Sequence, residues 1–220
     1  VDPSNGPVKA YVGGLDYTHF QYDMALVGRR QVGSTMKPFV YTMAMEDGYS
    51  PNSTILNEQR SYGGWTPRNG SRARYGEHVT LKWGLSQSNN WVTAGLMYQI
   101  DPTGTRLTDY LHEFGVANNQ IMPSMALCLG TCEITVGEMA SAYTAFVNKG
   151  IRCAPLLVTR IEDSHGNVIT EFAPRMNEVV SEQTSYKMLD MMMGVIDSGT
   201  GGRLRYKYNL RGQIAGKTGT

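Results

Sequence analysis

A serine and a lysine three positions apart, Ser34 and Lys37, lie where the residue types favour a helix. Residues three apart on a helix share a face, so the serine hydroxyl and the lysine amine can meet. A serine hydroxyl is a weak nucleophile until a base takes its proton. Lysine can be that base if burial or another cation lowers its pKa from about 10.4. The pair indicates nucleophilic catalysis, although Ser-x-x-Lys by itself also arises by chance on helix surfaces.

A second candidate motif, Ser88-Asn89-Asn90, lies at a predicted break between two helices. A side chain at such a break can point into a cleft, where Ser88 could relay a proton. Asn90 carries both a donor and an acceptor and could hold a substrate amide. Either residue could instead cap the following helix, and the motif taken by itself favours that simpler interpretation.

The third candidate motif, Lys217-Thr218-Gly219-Thr220, lies in a stretch predicted as a strand over residues 213–220. Lys217 offers a positive charge to a substrate carboxylate, and the threonine hydroxyls can hydrogen-bond the same group. Gly219 lets a substrate backbone approach the strand edge closely. The simpler interpretation is an ordinary edge-strand lysine beside a glycine bulge.

The order of the three motifs is more informative than any one of them. Ser-x-x-Lys, then Ser-x-Asn, then Lys-Thr-Gly is the signature of serine β-lactamases and penicillin-binding proteins. Chance explains each motif separately, but it explains poorly their joint occurrence in this order and in these local contexts.

The elements that must position these motifs begin with a helix predicted over Ser34–Asp47. Its apolar residues repeat with helical spacing and predict one buried face. Pro38 is tolerated only in the first turn, and Gly48 supplies the left-handed residue that ends the helix.

Capping residues and turn signals predict the remaining elements. They are a strand over 7–14, a long loop over 49–76 that borders the cleft, helices over 81–87, 91–99, 102–114, 135–148 and 181–196, a hairpin over 156–172 and the strand over 213–220. This order predicts an α+β domain in which a helical lobe packs on an antiparallel sheet.

Composition narrows the classes of function. The 220 residues are enough for one sizeable core, and 41% apolar with 18% charged residues is ordinary for a globular protein. A net charge of +1 with scattered basic residues gives no sign of a nucleic-acid partner. No apolar run approaches the length of a bilayer crossing, and no signal peptide is visible. Both ends look like cuts within a longer protein.

The cysteines and histidines give no sign of a metal or a disulfide framework. Cys128 and Cys132 are close enough in sequence to pair in an oxidising compartment, but buried free thiols, including Cys153, are the favoured interpretation. No cysteine or histidine group has the spacing of metal ligands.

Nearly the whole chain resembles the transpeptidase domain of class A penicillin-binding proteins, the bifunctional peptidoglycan synthases. The similar segments are Val8–Gly14, Gly28–Tyr41, Val79–Asn90, Thr135–Gly150, Gly199–Gly201 and Ala215–Thr220. In this family, further sheet strands and a closing helix follow the Lys-Thr-Gly strand, and a glycosyltransferase domain and a membrane anchor precede the domain. The resemblance therefore implies that residues 1–220 are an incomplete transpeptidase domain, so the activity of this chain alone stays open.

The resemblance also implies roles, a substrate and a location. Ser34 attacks the carbonyl of a peptidoglycan stem peptide ending in D-Ala-D-Ala, Lys37 is the general base, and an amine of a neighbouring strand then takes the acyl group. Ser88 is implied as a proton shuttle, and Asn90 as the residue that binds the substrate peptide group. Lys217, Thr218 and Thr220, with Gly219 between the two threonines, are implied to bind the terminal carboxylate. The N–H groups of Ser34 and Thr220 are implied to form the oxyanion hole. β-Lactam antibiotics acylate Ser34 as substrate mimics, no cofactor is implied, and the parent protein is anchored at the periplasmic face of the bacterial inner membrane.

Three other functions share these motifs. A β-lactamase or β-lactam sensor is disfavoured because no Glu-x-x-Leu-Asn segment, which would activate a deacylating water, occurs between Asn90 and Lys217. The motifs alone do not exclude a D,D-carboxypeptidase, although the flanking segments argue against it. The intact motifs argue against a non-catalytic scaffold.

Overall fold

The computed structural model describes all 220 residues and contains seven α-helices and eight short strands. The helices are α1 Lys37–Glu46, α2 Leu81–Ser86, α3 Asn90–Ile100, α4 Thr105–Glu113, α5 Val136–Val147, α6 Glu182–Asp197 and α7 Arg203–Tyr206. The strands are β1 Arg29–Gln31, β2 Thr54–Leu56, β3 His78–Thr80, β4 Glu133–Thr135, β5 Ile151–Cys153, β6 Arg160–Glu162, β7 Val168–Glu171 and β8 Met176–Glu178. The predicted α+β class is confirmed.

The strands form four two-stranded antiparallel sheets, which pair β1 with β4, β2 with β3, β5 with β8 and β6 with β7. The β1–β4 sheet matters most for the motifs. In it Arg29 lies opposite Thr135, so the strand that leads to Ser34 is tied to the strand that begins α5. The predicted hairpin is confirmed as β6–β7.

Two predicted strands, over residues 7–14 and 213–220, are wrong. The first segment makes a single bridge between Pro7 and Leu156. The second contains no strand residue, although it carries the Lys-Thr-Gly motif. A strand needs a ladder of hydrogen bonds to a neighbouring strand, and neither segment lies beside such a partner.

Helix α1 lies at the centre of the hydrophobic core. The sequence predicts one buried face, but nine of its ten residues are buried, including Lys37, Pro38 and Thr42. The reason is that α3, α4 and α6 all pack against it. The ring of Phe39 is fully buried and meets that of Phe114 edge-on at a centroid distance of 5.1 Å. The chain therefore holds the Ser-x-x-Lys helix rigidly from several sides.

The capping residues explain most of the helix boundaries. Thr80 and Ser181 accept from backbone N–H groups as predicted, and Thr135 forms a full capping box with Glu138. The predicted helix start at Asp101-Pro102 is wrong, because α4 begins at Thr105. The Asp101 carboxylate instead reaches forward and accepts from the N–H of Leu107 at 2.8 Å.

Two further features complete the fold. The three cysteines are free, with Cys128 and Cys153 buried and Cys132 half-buried. The structure contains no helix whose length and apolar content would suffice for a membrane crossing.

Candidate active site

The three motifs meet at one cleft of about 330 Å³. Its lining comes from all three motifs, from the long loop between β2 and β3 and from α2 with the residue that ends it. The lining residues are Ser34, Asn69, Gly70, Ser71, Ala73, Trp83, Gln87, Ser88, Asn89, Asn90 and Thr220. The prediction that the segment over 49–76 borders the cleft is thereby confirmed, whereas its prediction as one continuous loop is wrong because β2 lies within it. Lys37 and Lys217 are linked to this cleft because each donates a hydrogen bond to the hydroxyl of Ser88.

Ser34 lies in a 3₁₀ turn, Gly33–Met36, between β1 and α1. The predicted helix start is thus a tight turn that leads into the helix at Lys37. Gly33 N–H donates to Gly130 O at 3.1 Å, and the Tyr143 hydroxyl donates to Thr35 O at 2.8 Å. These contacts on both sides of Ser34 fix its backbone.

Gly33 allows the Lys-Thr-Gly segment to reach Ser34. It has a φ of +53°, and a Cβ at this position would lie 2.2 Å from Thr220 O. Gly33 and Thr220 are therefore in backbone contact, which brings two segments 187 positions apart in sequence to the same side of the cleft. Neither Ser34 N–H nor Thr220 N–H donates to a protein acceptor.

Lys37 is fully buried and surrounded by acceptors. Its Nζ donates to Ser88 O at 2.6 Å, to Asn90 Oδ1 at 2.6 Å and to Ser88 Oγ at 3.1 Å. Burial, and then the positive charge of Lys217, lower the pKa of Lys37 to about 7. A neutral amine has two hydrogens, which the two carbonyl oxygens at 2.6 Å take, so its lone pair is left for a hydroxyl.

The Ser88 hydroxyl lies between the two lysines. Its Oγ is 3.1 Å from Lys37 Nζ and 2.8 Å from Lys217 Nζ. Ser88 has a φ of +51°, a left-handed conformation that non-glycine residues rarely adopt. The break between α2 and α3 therefore turns the chain so that both the hydroxyl and the carbonyl of Ser88 face the amines.

Lys217 is half-buried, and its burial lowers its pKa to about 8. Its Nζ also donates to Thr218 O at 3.0 Å. The Thr218 hydroxyl contacts the Thr200 hydroxyl at 2.7 Å, so a second threonine joins this end of the cleft. Together these groups present one positive charge and two hydroxyls.

The Asn90 side chain forms hydrogen bonds both to Lys37 and to the loop that lines the cleft. Its Oδ1 accepts from Lys37, and its Nδ2 donates to Arg68 O at 2.7 Å. The simpler interpretation of the motif, in which Ser88 or Asn90 caps the helix, is wrong because Asn89 is the cap and accepts from Val92 N–H. Ser88 and Asn90 are thus left to face the cleft.

The structure brings all eight predicted site residues to this region. Gly219 lies beside Thr35, because a Cβ added to Gly219 would be 3.2 Å from Thr35 Cγ2. Sequence reasoning missed two residues, Asn69 and Thr200. Thr200 lies in Gly199–Gly201, which resembles the family, and that resemblance was the only signal. Asn69 had no signal beyond its place in a long loop.

A 3₁₀ turn that carries a serine three positions before a buried lysine, a Ser-x-Asn break and a Lys-Thr-Gly segment on an α+β scaffold are typical of the class that contains penicillin-binding proteins and serine β-lactamases. A family model, the penicillin binding protein transpeptidase domain, matches residues 1–220. The chain belongs to this family, and the sequence resemblance is confirmed.

Two curated relatives share one name. The chain is 33% identical over 228 aligned positions to penicillin-binding protein 1A of Aquifex aeolicus, covering all of this chain and 30% of the relative. It is 32% identical over 233 positions to penicillin-binding protein 1A of Neisseria lactamica, covering all of this chain and 28% of the relative. The chain thus spans less than a third of the length of these relatives.

Solved structures agree on the fold. The crystal structure of penicillin-binding protein 1A from Haemophilus influenzae matches with a TM-score of 0.89 at 25% identity, over 99% of this chain and 38% of that one. The D,D-transpeptidase domain of a peptidoglycan glycosyltransferase from Eggerthella lenta matches with a TM-score of 0.79 at 24% identity, over 93% of this chain and 56% of that one. The second likeness shows the fold alone.

Proposed function

We propose that this chain is a serine D,D-transpeptidase unit that cross-links peptidoglycan stem peptides through an acyl-enzyme on Ser34. The observation that carries the proposal is the position of the Ser88 hydroxyl between two lysine amines, 3.1 Å from Lys37 Nζ and 2.8 Å from Lys217 Nζ, in the cleft that Ser34 lines. A nucleophile, a base of lowered pKa and a proton relay in one cleft are what acyl transfer requires.

The acylation step begins with the neutral amine of Lys37. Its lone pair takes the Ser34 hydroxyl proton while Oγ bonds to the carbonyl carbon of the penultimate D-alanine. In the structure Ser88 Oγ is the longest of the three Lys37 contacts, so this is the contact that Lys37 releases for the transfer. The negative oxygen that forms is held by the N–H groups of Ser34 and Thr220.

The intermediate then collapses, and the bond to the terminal D-alanine breaks. The departing nitrogen takes a proton from the Ser88 hydroxyl, which regains one from the Lys37 ammonium. In the second half, an acceptor amine attacks the ester and gives its proton to Lys37 through Ser88. Ser34 Oγ leaves as the hydroxyl after that proton returns to it, so the enzyme is regenerated without a cofactor.

Substrate binding uses two sets of side chains around Ser88. The Lys217 ammonium and the hydroxyls of Thr218 and Thr220 bind the terminal carboxylate, with Gly219 allowing close approach of the peptide. The Nδ2 group of Asn90 has one hydrogen on Arg68 O and a second one for a substrate carbonyl. A β-lactam enters in the same way, and its ring amide opens as Ser34 becomes acylated.

The location and the larger protein are also part of the proposal. Because the relatives are more than three times as long as this chain, we place it in a larger, membrane-anchored synthase that also carries a glycosyltransferase domain. Its substrate is the cell wall, so the unit works on the periplasmic side of the bacterial inner membrane.

Mass spectrometry after treatment with a penicillin tests the proposal. We expect one adduct, on the peptide that contains Ser34, and no adduct after Ser34→Ala. The matched control is Ser164→Ala in the exposed β6–β7 turn, which should keep the adduct.

Three results would overturn the proposal. An adduct on another residue, or none on the unchanged protein, would remove Ser34 from its role. Sustained hydrolysis of nitrocefin, in place of a single burst, would instead define a β-lactamase. Product analysis with and without an added amine separates transpeptidation from carboxypeptidation.

A further inference from the structure

The loop between β2 and β3 is fastened to the first three residues of the Ser-x-Asn helix region. Each of these residues donates at least one hydrogen bond to the loop: Asn89 Nδ2 to Asn57 Oδ1 at 2.9 Å, Asn90 N–H to Asn69 Oδ1 at 2.8 Å and Trp91 Nε1 to Pro67 O at 3.1 Å. The loop and the start of α3 therefore form one hydrogen-bonded wall of the cleft, and Asn90 lies in that wall.

Asn69 contributes the side chain that binds the helix backbone. The N–H groups in the first turn of a helix lack intrahelical partners, and the Asn90 N–H finds its acceptor in Asn69 Oδ1. Asn69 Nδ2 donates to Ser71 O at 2.6 Å, which fixes the orientation of the Asn69 amide with its oxygen toward Asn90. Asn69 thereby sets where the main chain of Asn90 lies relative to the loop.

The adjacent residue completes the hold on Asn90. Arg68 O accepts from Asn90 Nδ2 at 2.7 Å, while Asn90 Oδ1 accepts from Lys37 at 2.6 Å. A flipped Asn90 amide would set an oxygen against Arg68 O and an N–H against the amine, so only one orientation satisfies both neighbours. In that orientation the second Nδ2 hydrogen is the donor available to a substrate.

We propose that Asn69 is a positioning residue that, by holding the backbone of Asn90 and keeping Arg68 O against its amide, aims Asn90 at the substrate amide. The inference rests on the proposed function, because it assigns Asn90 to the substrate. Asn69 itself touches neither the reacting atoms nor Lys37. Loss of its acceptor removes the only hydrogen bond between the loop and the Asn90 main chain and leaves the Asn90 amide bonded to Arg68 O alone on this side, so the donor for the substrate is held less firmly.

The test compares two β-lactams in the full 220-residue chain. Benzylpenicillin carries an acylamino carbonyl for Asn90 to bind, whereas 6-aminopenicillanic acid lacks it. We expect Asn69→Ala to slow acylation by benzylpenicillin about tenfold, the value of one lost hydrogen bond, and to slow 6-aminopenicillanic acid less. Asn69→Asp keeps the acceptor for Asn90 N–H but loses the donor to Ser71 O, so it should recover part of the selectivity between the two compounds that Asn69→Ala loses.

Hydrogen exchange at the Asn90 amide gives a readout that is independent of activity. Asn69→Ala should speed this exchange, while Asn177→Ala, which removes an exposed asparagine on β8, should change neither exchange nor selectivity. Unchanged exchange in Asn69→Ala, or equal slowing of both β-lactams, would overturn the positioning role. If the unchanged protein is acylated by neither compound, the proposed function fails, and the exchange experiment still decides whether Asn69 holds Asn90.

Discussion

Two lysines with lowered pKa values give the cleft its chemistry. Burial and Lys217 lower the pKa of Lys37 to about 7, and burial lowers that of Lys217 to about 8. The first shift makes Lys37 a base near neutral pH, and the second still leaves Lys217 charged there. A single cleft thus contains a proton acceptor and a cation of the same residue type, distinguished by their depth of burial.

The Lys37 shift also affects stability. Between about pH 7 and 10.5 the unfolded chain binds a proton at this position that the folded chain releases. The contribution of Lys37 to the free energy of unfolding therefore rises with pH through this window and is least favourable below it. The burial that reduces stability below this window is the same burial that makes Lys37 a base near neutral pH.

The pH dependence of penicillin acylation tests both assignments. The rate should rise with pH as Lys37 loses its proton near pH 7 and fall as Lys217 loses its charge near pH 8. Lys217→Arg should remove the falling limb, because a guanidinium stays charged throughout this range. Stopped-flow acylation measured across both limbs checks the prediction.

A surface lysine supplies the control for that experiment. Lys149 forms an exposed ion pair with Glu182, so Lys149→Arg should leave the profile unchanged. If the acylation rate of Lys217→Arg still falls near pH 8, the fall is caused by a group other than Lys217.

Among the elements, the 3₁₀ turn Gly33–Met36 has the most demanding geometry. It must place Ser34 at the cleft while its first residue lies against both Thr220 and Gly130. A Cβ on Gly130 would lie 2.1 Å from Gly33 O, so the two glycines allow three backbone segments to meet. The proposed oxyanion hole depends on this contact.

Replacement of Gly33 tests the role of the turn. In Gly33→Ala the added methyl would overlap Thr220 O, so we expect Thr220 N–H to move away and acylation to fall about 10²-fold. Gly48→Ala is the matched control, because Gly48 has a φ of +91° but no atom within 4 Å of an added Cβ. It should cost about 1 kcal/mol of stability and leave acylation intact.

Comparison of the two variants separates contact from backbone strain. Acylation and the free energy of unfolding are both measured. Equal losses of acylation in the two variants would show that the left-handed conformation, and not the approach of Thr220, is what matters at Gly33.

The sequence predicts local elements well and long-range ones poorly. Pro38 marks a helix start because it lacks a backbone N–H, and Thr80 and Thr135 mark helix starts because their side chains cap the first turn; each start lies at or near its predicted place. The segment over 213–220 fails as a strand because pairing depends on a neighbour elsewhere in the chain. Asn69 was missed for the same reason, since its partner is 21 positions away and no local pattern marks it.

Considered as a whole, the molecule divides into a dense helical core and an exposed hairpin. Phe39 on α1 packs with Phe114, Tyr143 and Phe146 at centroid distances of 5.1, 5.7 and 5.9 Å. Every residue of β6 and β7 is exposed. Because Tyr143 also holds Thr35 O, the aromatic cluster supports both the core and the turn that carries Ser34.

Two phenylalanines of very different burial test this division. Phe39 is fully buried, whereas Phe172, just after β7, is 44% exposed. Phe39→Ala should lower the free energy of unfolding by about 3–5 kcal/mol, because it removes apolar contacts and leaves a cavity at the centre of the aromatic cluster. Phe172→Ala should cost less than about 1 kcal/mol, since little of its contact is lost. Urea unfolding of the two variants measures the difference, and similar values would mean that stability is not concentrated around α1.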